Sequence, residues 1–294
     1  MLKQLATPGI LRSGINLIGY GLYGLFILML GHYAPVNVIN PVAYLLGVFN
    51  LIVMFTSPGA ASYATCSLTP LYLTITLLAL TAILLHPPYW WVTMPTFILY
   101  VYLHMQFIRR VELPRFRQGR EASWSLAVLP YVIGGRVVQL ALGALALINP
   151  ALWVIALTAP LPLGQWLNNI AYRGRSYECG SASWVKGLEF STRYHAPYAL
   201  FNIIYLIYPA QSASWLINTA PAQALLTAIQ VDKLWGRKIS TLRYLAMPIS
   251  VAAMWMLEKS RIINPTYMAT IPLALIITAA STLTALLITY HVVP

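Results

Sequence analysis

The sequence predicts an all-α, polytopic integral membrane protein with eight to ten transmembrane helices joined by short loops. Hydrophobic residues make up 59% of the 294 residues and charged residues only 8%, whereas soluble domains contain roughly 45–50% and about 25%. Several apolar runs approach the roughly 20 residues that a helix needs to cross a bilayer core. We therefore expect a single transmembrane domain, 1–294, in which each helix satisfies its own backbone.

The candidate spans follow one another along the chain, separated by polar or proline-containing breaks. In order they are 14–33, 41–55, 68–85, 89–108, 125–148, 151–167, 196–208, 215–231, 244–257 and 266–290. The runs 196–208 and 244–257 are too short to cross a bilayer upright. Because 244–257 is either a span or a re-entrant piece, the number of crossings stays open. Pro87-Pro88 and Asn149-Pro150 predict turns, since these pairs interrupt or initiate structure.

The distribution of basic residues predicts the orientation, because Lys and Arg near span ends favour one membrane face. Basic residues lie in 1–13, a short N-terminal segment, and in 109–120, 173–193 and 233–243. The connections 31–41, 86–88, 148–150 and 209–214 contain no Lys, Arg, Asp or Glu. All basic groups share one face if each of the first eight runs crosses once.

The excess of positive charge predicts contact with anionic lipid. There are 18 Lys and Arg residues against 6 acidic residues, which gives a net charge of +12. At a membrane face these side chains meet acidic phospholipid headgroups, cardiolipin among them, rather than nucleic acid. The expected headgroup-binding residues are Arg109, Arg110, Arg115, Arg117, Arg120, Arg173, Arg175, Lys233, Arg237 and Lys238.

Arg136 is the one charge that an uninterrupted fifth span places deep in the membrane, and Gln139 follows it by one helical turn. An ionisable residue at that depth is a candidate functional residue. Two interpretations stay open. In the first, the span begins near Gly134-Gly135 and Arg136 extends towards the interface. In the second, Arg136 and the amides of Gln139, Gln165, Asn168 and Asn169 line a path for a solute.

The scarcity of acids argues against metal-dependent chemistry. The first 111 residues contain no acidic residue, and the whole chain has one aspartate. A divalent cation in a phosphotransferase or prenyltransferase needs two or more carboxylates close together. Glu112 is the first acid, and we expect it to be a local charge partner of the adjacent Arg109 and Arg110. No metal site is therefore predicted.

No cofactor is expected either. His32 and His86 end the first and third spans, so they would lie at equal depth, as ligation of a haem by two imidazoles requires. No span carries a second histidine beside them, and we do not expect a haem. Cys66 and Cys179 form no CxxC pair, so they predict neither a metal site nor a disulfide framework.

Two short segments resemble known families. Leu99-Tyr100-Val101-Tyr102-Leu103-His104, followed by Arg109-Arg110, is similar to one span of the pore-membrane tetraspanning family of the endoplasmic reticulum and nuclear envelope. This resemblance implies a membrane-shaping protein as an alternative. The segment 193–198, Arg-Tyr-His-Ala-Pro-Tyr, resembles the signature of membrane methyltransferases acting on isoprenyl cysteine. The order of its residues differs and the paired glutamates are missing, so that activity is not expected.

The sequence favours a non-catalytic structural or accessory subunit of a multi-subunit membrane complex, with other membrane subunits as partners. The acid-free, basic segment 1–13 is compatible with mitochondrial targeting, so a respiratory-chain or ATP-synthase assembly of the mitochondrial inner membrane is the first expectation. The bacterial inner membrane and the endoplasmic reticulum are alternatives. A transporter or channel for a neutral or anionic solute is the second interpretation of function, and a membrane-embedded lipid-modifying enzyme is the third.

Overall fold

All regular structure in the described part of the chain is helical. The computed structural model describes residues 8–56, 68–112, 114, 115, 118, 120 and 126–172. The helices are α1 (Pro8–Tyr33), α2 (Val36–Thr56), α3 (Thr69–Leu85), α4 (Trp90–Phe107), α5 (Leu129–Ala146), α6 (Leu152–Thr158) and α7 (Pro160–Ala171). A π-helical turn, Ile108–Glu112, continues α4. The expected all-α class is confirmed for these residues, and the candidate spans from 196 onwards lie outside them.

Both predicted turns between these helices are present. Between α3 and α4, His86 and Tyr89 flank the proline pair with positive φ angles of 39° and 66°, a left-handed conformation that ends one helix and reverses the chain before the next. Between α5 and α6, the Asn149 side-chain oxygen accepts a hydrogen bond of 3.2 Å from the N–H of Ala151. Asparagine favours such turns because its side chain binds backbone two residues further on.

The run 151–167, expected as one span, is divided at Ala159 into α6 and α7. Pro160 and Pro162 explain the division, because proline lacks the N–H that would continue the backbone hydrogen bonds. Ala159 itself keeps helical angles, φ −62° and ψ −32°, and the crossing of a membrane by this run stays a prediction. α7 also extends to Ala171, four residues beyond the predicted end.

Judged by length and composition alone, α5 is the one helix among the described residues that is long and apolar enough to cross a membrane. α3 is apolar but has only 17 residues, and the apolar stretch 40–53 of α2 is shorter still. The expectation of eight to ten crossings therefore stays a prediction.

Buried aromatic and aliphatic side chains hold the helices together in separate clusters. One cluster joins α1, α2, α5 and α6, where the rings of Phe26 and Trp153 lie 6.0 Å apart. A second joins α2, α3 and α4, where Phe49 and Phe97 stack at 4.3 Å. Alongside it, the hydroxyls of Thr56 on α2 and Thr74 on α3 share a buried hydrogen bond. A third cluster joins the start of α1, the C-terminal end of α4 and the start of α5.

α5 and α7 approach each other most closely at two glycines. A Cβ atom on Gly164 would lie 2.9 Å from the carbonyl oxygen of Tyr131, and one on Gly135 would lie 3.1 Å from that of Pro160. Both distances are shorter than ordinary van der Waals contact, and the obstacles are backbone atoms that cannot turn away. Small residues permit such backbone contact, and helices pack this way where close approach supplies the attraction.

The two ends of this helix assembly differ in charge. At one end the start of α1 meets the end of α4 through an ion pair between Arg12 and Glu112. The Tyr172 hydroxyl, just after α7, donates to the carbonyl of Leu126 at the same end. At the other end, Ala34, Tyr89 and Leu152 pack on one apolar cluster. We call these the charged end and the uncharged end.

We expect Gly164→Ala to destabilise the protein by about 1–3 kcal/mol, because the added methyl group forces the α5 and α7 backbones apart. Gly21→Ala is the matched control, since nothing lies within 4 Å of a Cβ at that position. Replacing glycine by alanine in a helix otherwise favours the helix by about 1 kcal/mol. The thermal unfolding midpoint in detergent measures both. Equal midpoints for Gly164→Ala and the unsubstituted protein would contradict the close crossing.

Candidate functional site

Charged, amide and aromatic polar side chains from four described helices come together between α1, α4, α5 and α7. We call this set the polar core. Its members are Arg12, Tyr100, His104, Glu112, Tyr131, Arg136, Gln139, Gln165, Asn168 and Asn169. Buried polar groups cost free energy unless they are hydrogen-bonded, so the partners of each member decide what this region can do.

The guanidinium of Arg136 lies between α1 and α5. It donates a hydrogen bond of 2.7 Å to the side-chain oxygen of Gln139 and lies 4.4 Å from the centre of the Tyr23 ring on α1. Arg136 follows Leu129, the first residue of α5, by seven positions. The helix therefore begins before Gly134, while the depth of Arg136 in a membrane stays a prediction.

Gln139 supplies a hydrogen-bond donor that the backbone around Pro160 lacks. Pro160 has no N–H, so the carbonyl of Ala156, four residues earlier, lacks its usual helical donor. The Gln139 amide nitrogen donates to that carbonyl at 3.1 Å. A side chain of an adjacent helix is one of the few ways to satisfy such a carbonyl away from water. Gln139 thus joins α5 to α6 while its oxygen holds Arg136.

A second group forms where α4 faces α7. The Nδ1 atom of His104 lies 3.3 Å from the side-chain oxygen of Gln165, and the ring of Tyr100 stacks on His104 with centroids 5.6 Å apart. Tyr100 is also hydrogen-bonded to Tyr131 of α5. The side-chain nitrogen of Gln165 is buried without a hydrogen-bond partner in the described structure.

The two asparagines of α7 bind backbone groups of other helices. Asn168 accepts a 2.6 Å hydrogen bond from the N–H of Tyr131, which lies in the first turn of α5. The N–H groups of a first turn have no partner within their own helix, so Asn168 caps α5 from outside. Asn169 donates to the carbonyl of Leu103 at 3.0 Å. The amides predicted to line a path thus separate into Gln139 beside Arg136 and a set that fastens α7 to α4 and α5.

Glu112 pairs with a residue far away in sequence. Its side chain is 1% exposed and accepts a 2.7 Å hydrogen bond from Arg12 of α1. The expectation of an exposed pairing with Arg109 and Arg110 was wrong. The helical turn that ends α4 directs Glu112 into the protein, whereas Arg110 points outwards.

The described surface arginines occupy different surroundings. Arg110 and Arg120 are exposed, and the Nε atom of Arg109 is buried without a partner among the described residues. Arg115 lies 5.1 Å from the Tyr172 ring centre. Partial burial lowers the pKa of Arg115 from its ordinary value, Tyr172 opposes that shift, and the positive charge of Arg120 adds to it.

Headgroup binding by this set stays a prediction. Its other members lie outside the described residues, and they are Arg117, Arg173, Arg175, Lys233, Arg237 and Lys238.

The described residues contain no cluster of three or more His, Cys, Asp or Glu side chains. His86 is exposed and its ring lies 5.2 Å from that of Trp90. Cys66 and Cys179 lie outside the described residues.

Sequence analysis missed Tyr100, His104 and Tyr131 as members of the polar core. The signal was nevertheless present on α4. Tyr100 and His104 are four residues apart, which places them on one helix face. A stripe of polar residues in an apolar helix marks the face turned towards other helices.

We expect Gln139→Leu to destabilise the protein by about 1–3 kcal/mol, since it leaves the Ala156 carbonyl buried without a donor. In a Pro160→Ala background the restored N–H can serve that carbonyl, and the same substitution should cost less by about 1 kcal/mol. Chemical or thermal unfolding of the four proteins in detergent measures this coupling. Additive effects of the two substitutions would mean that Gln139 does not compensate for Pro160.

Comparison of the chain with protein-family models, with curated proteins and with solved structures found no match.

Proposed function

We propose that the chain is a polytopic helical membrane protein that serves as a structural or accessory subunit of a larger membrane assembly. The observation that carries this proposal is the distribution of polarity across the described helices. Their polar side chains face one another in the polar core, while large apolar side chains face outwards. This arrangement suits lipid, or an apolar partner, as the surrounding medium.

The outward apolar side chains are large and numerous. Ile148 is 84% exposed and Leu84 is 79% exposed. Other exposed members are Leu25, Tyr72, Ile83, Trp91, Val137 and Leu145. Soluble monomers rarely expose extensive apolar surface, which supports contact with lipid tails or with neighbouring subunits.

The difference between the two ends also supports a membrane setting. Arg12, Arg110 and Arg115 lie at the charged end, and no charged residue occurs in 34–36, 86–89 or 147–151 at the other. A membrane protein whose basic loops remain on one face has this distribution.

The accessory role rests on what the polar contacts do. Gln139, Asn168 and Asn169 each join one helix to the backbone of another, so their hydrogen bonds serve assembly of the helices. The expected partners are other membrane subunits and anionic phospholipid. A respiratory-chain or ATP-synthase assembly of the mitochondrial inner membrane is the first expectation, because cardiolipin there matches the basic end.

A transporter or channel for a neutral or anionic solute is the second candidate. The half-buried guanidinium of Arg136 favours it, since intramembrane charges often mark solute pathways. Flux of an anion into vesicles that contain only this chain would support this candidate and count against a purely structural role.

The membrane part of the proposal is tested at α5. In a background with Cys66 and Cys179 replaced, we introduce a cysteine at Gln118 or at Ile148, which are exposed positions on either side of α5. If α5 crosses the membrane, a membrane-impermeant maleimide should label the two positions from opposite sides of sealed vesicles. Labelling of both from one side would contradict the proposed crossing.

The subunit part is tested by the state of the protein after mild extraction. We expect the chain to migrate on a native gel with other proteins in constant proportion, well above its own mass of 32.7 kDa. Denaturing detergent provides the control, since it should release the single chain. A protein that elutes alone from native membranes under several mild detergents would contradict the accessory role.

A further inference from the structure

Arg136 has hydrogen-bond donors that no described residue accepts. A guanidinium carries five N–H donors in one plane. Among the described residues its contacts are the hydrogen bond to Gln139 and the ring of Tyr23. Its remaining nitrogens are not among the fully buried atoms that lack partners, so they keep some solvent exposure in the described structure.

Among the described residues, the groups in contact with the Arg136 guanidinium are neutral. Glu112 is the one acidic residue in the described ranges, and it is buried against Arg12. Gln139 and Tyr23 are both uncharged. A guanidinium among apolar side chains is stabilised more strongly by an anion than by an amide or a ring, because the opposite full charge adds Coulombic attraction to the hydrogen bonds.

The side chain is held ready for such an anion. The Gln139 nitrogen is fixed on the Ala156 carbonyl, so its oxygen presents a fixed acceptor to one edge of the guanidinium. Tyr23, which is 4% exposed, supports the flat face. The free edge is thereby oriented without further loss of side-chain freedom, which raises affinity for a partner that presents two neighbouring acceptor oxygens.

The position along α5 suits a headgroup at the charged end. Side chains of a helix lean towards its N-terminus, and the start of α5 is at the charged end. Arg136 lies about 10 Å along the helix from that start, taking about 1.5 Å for each of the seven intervening steps. An arginine at this depth can extend towards a headgroup by snorkelling.

We propose that Arg136, supported by Tyr23 and positioned by Gln139, is a binding site for a phosphate oxyanion. The guanidinium edge grips two phosphate oxygens, as arginine does and lysine does not. A phospholipid headgroup and a free phosphate present the same oxygens. The site is separate from the surface arginines of 109–120, and it stands whether or not the chain is an accessory subunit.

The test uses the full chain in neutral detergent, with binding measured by native mass spectrometry. The probes are phosphatidylglycerol, inorganic phosphate and diacylglycerol, which has no phosphate. Arg136→Gln should weaken binding of phosphatidylglycerol about tenfold, by loss of a two-point charged contact, and leave diacylglycerol binding unchanged. Arg110→Gln removes the same charge from an exposed position and is the matched control. Its effect should be about fivefold or less.

A second variant keeps the experiment decisive if Arg136→Gln fails to fold. Arg136→Lys retains the positive charge over Tyr23 but loses the planar edge, and it should weaken phosphatidylglycerol binding measurably. Competition by inorganic phosphate would identify a site for free phosphate, whereas no competition would identify a lipid headgroup. Binding of both anionic probes to Arg136→Lys and Arg136→Gln at the level of the unsubstituted protein would overturn the proposal.

Discussion

The contact between α5 and α7 at Gly135 and Gly164 determines where most of the polar core lies. With no side chain on either residue, the two backbones come close enough for Asn168 to reach the N–H of Tyr131. The same approach places Pro160 beside Gly135, so the carbonyl that Pro160 leaves without a donor lies within reach of α5. The hydrogen bonds of Asn168 and Gln139 therefore depend on the close packing of α5 against α7.

Composition and local sequence were sufficient for the helical class and for the turns. The pairs Pro87-Pro88 and Asn149-Pro150 act on the backbone beside them, and such local effects can be predicted without knowledge of the neighbours. The division between α6 and α7 was predictable in principle from Pro160 and Pro162. Sequence analysis did not predict this division, because the run 151–167 is apolar and long enough to be read as one span.

The candidate site was predicted in part. Arg136 and Gln139 were paired by their helical spacing, and the structure brings them into contact. Their partners Tyr23 and Ala156 come from other helices, and no spacing within one helix identifies a contact between helices. Glu112 failed for the same reason, because adjacent positive charges suggested a local pairing while the true partner was in α1.

The ion pair between Arg12 and Glu112 also has a consequence for the order of assembly. The two residues are separated by 100 positions, so the first helix must be made well before its partner exists. Contacts between positions so far apart form late, because the intervening chain must be confined before they can contribute. During synthesis Glu112 therefore becomes available to Arg12 only once α4 has been made. The pair then joins the start of the first helix to the end of α4 at the charged end.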